Sequence, residues 1–330
     1  MKYLPENDTL LLSPAELNAL RARVKVIPNL LSPISQFMQK TESAVDLREF
    51  DTLPELQQME FMDAIKAFCL PEYTILWHET VADQSITRSA AACNSYSPDK
   101  WTIISWNPEG VWLRRRTTSE LSLGLTRFLA VYPGLKTNNF RLGLSSEAAL
   151  TAVAALDHCL LAELLAKLEH TNAAASFTLG ELQPRFQEAD QEDFRWPLLF
   201  LQKLVPADLQ ELAEPERLSS ALQELTQAGL LICVEDEDNQ PLNHLYLFSE
   251  EGEALRQGFL HETSKAGLRV SAISASGEVT HEVFFFLRDP LSLWMFDLTG
   301  GGAAIVDLDQ IEFQQLVRKI LNPDISTGSL

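Results

Sequence analysis

A chain of 330 residues, 46% hydrophobic and 22% charged, has the composition of a folded globular protein and the length of about two domains or one elaborated one, which sets intrinsic disorder aside. The 26 Lys and Arg against 46 Asp and Glu leave a formal charge of -20, which repels nucleic-acid phosphates and anionic membrane surfaces alike. No run approaches the roughly 18 apolar residues that span a bilayer, MKYLPENDTLLL lacks a signal-peptide core, and Cys69, Cys93, Cys159 and Cys233 form no CxxC pair, so the chain reads as cytoplasmic.

Ser13 opens a helix over SPAELNALRARV, with Pro14 in its first turn. A second helix is expected over residues 53–70, where Leu56, Met59, Met62, Ile65 and Phe68 recur at steps of three. After Pro71 the period changes to two through YTILWHETV, SITRSAAACNSY, KWTIISW and GVWLRRRT, the last two joined by the turn signal Asn107-Pro108-Glu109-Gly110. This predicts a four-strand meander, closed by an amphipathic helix over TSELSLGLTRFLAVY with Ser119 as its cap.

Residues 144–264 read as mostly helical, beginning with SSEAALTAVAALDHCLLAELLAKLEH. LLICVEDEDNQPLNHLYLFSEEGEALRQGF then runs strand, acidic turn, strand and capped helix, the order of a winged helix-turn-helix. From residue 268 the period of two returns in LRVSAIS, EVTHEVFFFLR, LWMFDL and AAIVDLD, before a last helix over QIEFQQLVRKIL.

Placing Trp101 over Trp294 aligns the two meanders without a gap up to the tryptophans, pairing Ile86 with Val279 and Thr87 with Thr280. A one-residue deletion after the tryptophans pairs Gly110 with Gly302, Leu113 with Ile305, Leu121 with Phe313 and Leu129 with Leu321. The expected architecture is α+β: two pseudo-symmetric antiparallel-meander-plus-helix units, at residues 1–140 and 266–330, separated by a helical, winged-helix-like segment at 141–265. Gly300, Gly301 and Gly302 then form a bend between antiparallel strands. A phosphate cradle would need glycines leading straight into a helix, and AAIVDLD intervenes as a strand.

No catalytic or metal-binding motif in the sequence is complete. His78-Glu79, His261-Glu262 and His281-Glu282 lack the second histidine that would place two zinc ligands on one helical face. The run Glu235-Asp236-Glu237-Asp238-Asn239 lacks the glycine and closing Glu of a calcium loop, and no G-x-S-x-G elbow occurs. Residues 177–260 carry five basic side chains against seventeen acidic ones, and the would-be recognition helix PERLSSALQELTQAG offers one Arg, so DNA binding is not expected.

Arg114-Arg115-Arg116 is the one dense basic cluster. On a strand, Arg114 and Arg116 share a face with Trp112, a residue mix enriched in protein interfaces, while Arg115 lies with Val111 and Leu113 and could pair with Asp307, its counterpart in the repeat. Three consecutive phenylalanines, Phe284 to Phe286, suit a strand buried on both faces.

The element order, carried by LLLSPAELNAL, AIKAFCLPEYTILWHE, WTIISWNPEGVWLRRRTTSELSLGLTRFL and LWMFDLTGGGAAIVDLDQIEFQQLVRKIL, resembles the EspG-like chaperones of ESX (type VII) secretion. That resemblance implies two quasi-equivalent α+β halves, no catalysis, and a cytosolic role in keeping secretion substrates soluble. The expected function is therefore a non-catalytic protein-binding role without cofactor or metal, with a protein client such as a helical secreted protein, and with Trp112, Arg114 and Arg116 as partner-binding residues. The competing expectations are a winged-helix regulator or scaffold, and an enzyme whose carboxylates and histidines converge only in three dimensions.

Overall fold

The computed structural model describes residues 1–34, 45–81, 87–93, 99–107, 110–135, 137, 139–174, 176–187, 196–205, 209–234, 244–273, 276–300 and 302–322. Ile86, Pro108-Glu109, Arg195, the acidic run at 235–239 and Gly301 lie outside the described residues. The chain begins with β1 (Lys2–Leu4), β2 (Thr9–Leu12), α1 (Pro14–Val24), α2 (Arg48–Asp51) and α3 (Glu55–Cys69). The first meander is β3 (Tyr73–Val81), β4 (Thr87–Cys93), β5 (Lys100–Asn107) and β6 (Gly110–Thr117), followed by α4 (Thr118–Phe128). Next come β7 (Arg141–Leu144), α5 (Ser146–Glu169), β8 (Ser176–Phe177), α6 (Leu179–Gln187), α7 (Pro197–Gln202), α8 (Pro215–Gln227), β9 (Leu231–Val234), β10 (Leu245–Phe248) and α9 (Glu250–Leu260). The second meander is β11 (Ser264–Ile273), β12 (Val279–Arg288), β13 (Leu293–Asp297) and β14 (Ala303–Asp307), closed by α10 (Gln310–Ile320).

The two meanders join into one 11-stranded sheet in the order β1-β2-β6-β5-β4-β3-β11-β12-β13-β14-β7. They meet where β3 runs antiparallel to β11, with Leu76 opposite Arg269. The offset that places Thr87 over Thr280 also places Leu76 over Arg269, so these two residues face each other across a pseudo-twofold axis. The fold is α+β, built from two pseudo-symmetric meander-plus-helix units with a helical, winged-helix-like segment between them.

The twinning reaches further than the meanders. β2 runs beside β6 and leads through Ser13 into α1; β7 runs beside β14 and leads through Ser145 into α5. Leu12, next to its serine, faces Val111, and Leu144, next to its own, faces Ala303. The closing helices match end to end, each opened by a reciprocal capping box: Thr117 with Glu120 for α4, Asp309 with Glu312 for α10. Thr117, not Ser119, is therefore the cap of α4, because the side chain that accepts the Glu120 amide must precede the first helical residue.

One expected equivalence is corrected. Trp101 packs on the sheet face that carries α4 and α10, whereas Trp294 is buried on the opposite face and donates its indole N–H to Asp289 Oδ2 at 3.1 Å. The counterpart of Trp101 is Leu293, which shares its face and the same register to the following strand. The missing residue falls before the third strand rather than after the tryptophans. A slip of one residue inverts every side chain of a strand, so only the face assignment could reveal it.

Alternation along the strands sorts their side chains between two layers. Tyr73, Ile75, Trp77, Ala266, Leu268, Phe284 and Phe286 pack beneath α4 and α10. On the other face, Ala90, Ala92, Ile104 and Leu113 meet α1 and α3, while Val283, Phe285, Phe296 and Ile305 meet the helices that follow β7. Phe285 thus points away from Phe284 and Phe286, and all three are buried. Arg115 and Asp307 do not pair: β6 and β14 are seven strand spacings apart, about 33 Å at ~4.8 Å each, and Asp307 accepts the Phe140 amide instead.

Two helices depart from expectation. In α3 the buried side is Phe61, Ala64, Ile65, Phe68 and Cys69, while Leu56 and Met59 are exposed. Steps of three fall short of a 3.6-residue turn, so such a row winds around the helix instead of marking one face. α5 is long and apolar enough to cross a membrane by length and composition, unlike anything expected from the sequence, and 61% of its most apolar window is buried inside the fold.

The intervening segment has the expected wing. β8, β10 and β9 form a separate three-stranded sheet in that order, with α6 and α8 between β8 and β9 in the chain. The one Arg of α8, Arg217, is held between Glu147 and Glu211.

Candidate functional site

The expected interface residues Arg114 and Arg116 come together in a cleft of about 220 Å³ between α4 and the sheet. Its floor is Ile75 and Trp77 of β3 and Ile103 of β5; Leu121, Gly124, Leu125 and Phe128 of α4 form one wall, and Leu321, just past α10, closes an end. Trp112 lies on the same strand face as the two arginines but is not part of the lining; it faces Leu11 of β2 on one side and Ser105 on the other.

The polar end holds Arg114, Arg116, Glu79 and Glu120. Burial pushes the pKa of the Arg114 guanidinium down, neighbouring Arg116 adds to this, and Glu79 opposes it. Burial likewise raises Glu79, against the pull of Arg114. No salt bridge joins these two among the described residues, and Arg114 Nε is buried without a hydrogen-bond partner. Glu120 is already engaged: its carboxylate accepts the Thr117 amide at 2.7 Å and the Thr117 hydroxyl at 3.1 Å, bonds that hold its pKa below the usual carboxylate value.

The second unit shows what this place looks like when the fold alone decides. Opposite Arg114 and Arg116 stand Val306 and Leu308, opposite Glu79 stands Ala272, and opposite Gly124 stands Leu316, all packed in or against the core beneath α10. At these four positions the second unit is apolar, and of the polar end only Glu312, the match of Glu120, remains charged. In the first unit the glycine removes a leucine's bulk from the helix wall, and nothing lies within 4 Å of where its Cβ would be. The cleft can hold an apolar group against Trp77, Leu125 and Phe128 while two guanidiniums meet a polar or anionic end.

Elsewhere, His78 and His281 lie in strands of the sheet and His261 ends α9, and none of the three His-Glu pairs forms a two-histidine site on one helical face. No group of three or more His, Cys, Asp or Glu suited to a metal occurs among the described residues. Cys69, Cys93 and Cys159 are buried and outside any disulfide, Cys233 is half-buried, and burial pushes Cys159 up to about 12, which leaves it an unreactive thiol.

No protein-family model and no curated protein matches the sequence. The chain is similar in its course to the Mycobacterium tuberculosis type VII secretion system chaperone EspG5, solved in complex with the PE25-PPE41 dimer: 9% identity over 95% of this chain and 95% of that one, with a TM-score of 0.46.

Proposed function

We propose that this is a non-catalytic protein-binding protein, a chaperone or adaptor similar to EspG, whose client docks at the α4 cleft through Arg114, Arg116 and neighbouring Trp112. The observation that supports this reading is the difference between the twin units: one has opened the position that the other fills with Val306, Leu308 and Leu316. An open apolar slot and a desolvated arginine both cost stability, and a partner that fills the slot and pairs the guanidiniums recovers it. The client class that fits is a helical secreted protein carrying an apolar side chain beside a carboxylate. The acidic surface of the chain keeps such a complex soluble.

The test is capture of secreted helical proteins of the host by the full chain, repeated with Gly124→Leu. That substitution installs the residue found at the matching place in α10 and removes a helix-interior glycine, so α4 should gain up to about 1 kcal/mol. A client held by the wild type and released by this equally folded variant supports the reading. Retention of the client by Gly124→Leu, or enrichment only of DNA or metabolites, overturns it.

A further inference from the structure

On the opposite face of the sheet, at the pseudo-twofold axis, a second charged feature has no role in the α4 cleft. His78 faces Arg88 across β3–β4 and Gly267 across β3–β11, and Arg269 stands two residues beyond Gly267 on the same face. Gly267 has no side chain because α7 lies over it: a Cβ there would fall 2.1 Å from Leu204 Cδ1 and 2.7 Å from Phe200 Cε1. Phe200 meets His78 edge to face at 6.0 Å, and this contact brings Lys203, at the end of α7, to the same place. His281 extends the row on β12, bonded through Nδ1 to Ser271 Oγ at 2.8 Å.

Among the described residues, no carboxylate lies within ion-pairing distance of Arg269 or Lys203, and Arg269 Nε and His78 Nδ1 are buried without partners. Burial alone accounts for the lowered pKa of Arg269; burial together with Arg88, Arg269 and Lys203 lowers His78 to about 3, so the imidazole is neutral at pH 7. In a chain of charge -20, a buried guanidinium with no carboxylate beside it among the described residues stands out, since burying an unpaired charge costs stability.

We infer that Arg269 and Lys203, on either side of His78, form a binding site for an oxyanion, supplied as a carboxylate of an acidic protein segment or as phosphate. Planar bidentate donation from Arg269 and a point charge from Lys203 suit that chemistry. The site lies on the sheet face away from α4, so it does not depend on the client reading above.

Calorimetry of the full chain at low ionic strength, with inorganic phosphate in one arm and a hexaglutamate peptide in the other, tests this. One equivalent of at least one probe should bind, and Arg269→Gln and Lys203→Gln should each weaken it by about tenfold or more, as expected for loss of a charge-assisted hydrogen bond, whereas Arg318→Gln on α10 should not. Binding of peptide alone assigns the site to an acidic segment, and binding of phosphate assigns it to the free ion. Lys203 is exposed, so its variant decides the matter if Arg269→Gln fails to fold. Absence of binding by both probes, or binding unchanged in the Lys203 variant, overturns the inference.

Discussion

Asp157, on α5, is buried with its Oδ2 accepting the Leu198 amide at 2.9 Å and its Oδ1 unpartnered. Burial raises its pKa from 3.8 to about 8, with the Leu198 bond and the more distant Lys265 opposing. Because the folded value lies above the unfolded one, the stability this group contributes is complete below about pH 4 and is lost as pH rises toward 8. At about 1.4 kcal/mol per unit, the loss between pH 4 and pH 7 is on the order of 4 kcal/mol, which is large against the total stability of a domain. Asp157→Asn cannot ionise and should remove that slope. It leaves a buried amide N–H without an assured acceptor, which costs about 1–3 kcal/mol. The variant should thus be the weaker protein at pH 5 and the stronger one at pH 8. Urea unfolding followed by circular dichroism across that range measures both curves. Parallel curves would show that Asp157 is ionised in the fold and refute the reasoning.

Other outcomes follow from the same packing. Gly258→Ala places a Cβ 2.4 Å from Trp294 Nε1 and should cost about 1–3 kcal/mol in urea unfolding, disturbing the bond to Asp289. Thr117→Ala and Asp309→Ala remove matched caps from α4 and α10 and should each cost about 1 kcal/mol; losses that differ severalfold would contradict the equivalence of the two units. Arg114→Val, the residue of the second unit, should leave stability unchanged or higher while client capture falls, read by thermal unfolding beside the pull-down.

The alternation of YTILWHETV, KWTIISW and GVWLRRRT made the strands visible, and the Ser13-Pro14 opening with its following leucines did the same for α1, since each rests on neighbours in the chain. The Trp101–Trp294 equivalence failed because a single omitted residue changes the face of a strand without changing its pattern. Leu56 and Met59 misled because a row at steps of three looks apolar whether or not it winds out of the core. At the cleft, the run Arg114-Arg115-Arg116 drew attention by charge alone. Trp77 and Glu79 lie on β3, three strands along from β6, and nothing local connects them. Gly124 was within reach: the deletion that aligns Leu121 with Phe313 also sets it over Leu316, and a glycine opposite a leucine in twin helices signals an opened wall. Arg269, at the axis, needed the sheet order itself.

Hydrogen–deuterium exchange of the chain with and without its captured client tests the central claim most directly. New protection confined to α4 and β6, with α10 and β14 unchanged, is the predicted result. Protection of the two units alike, or only at the wing of β9 and β10, would contradict the account.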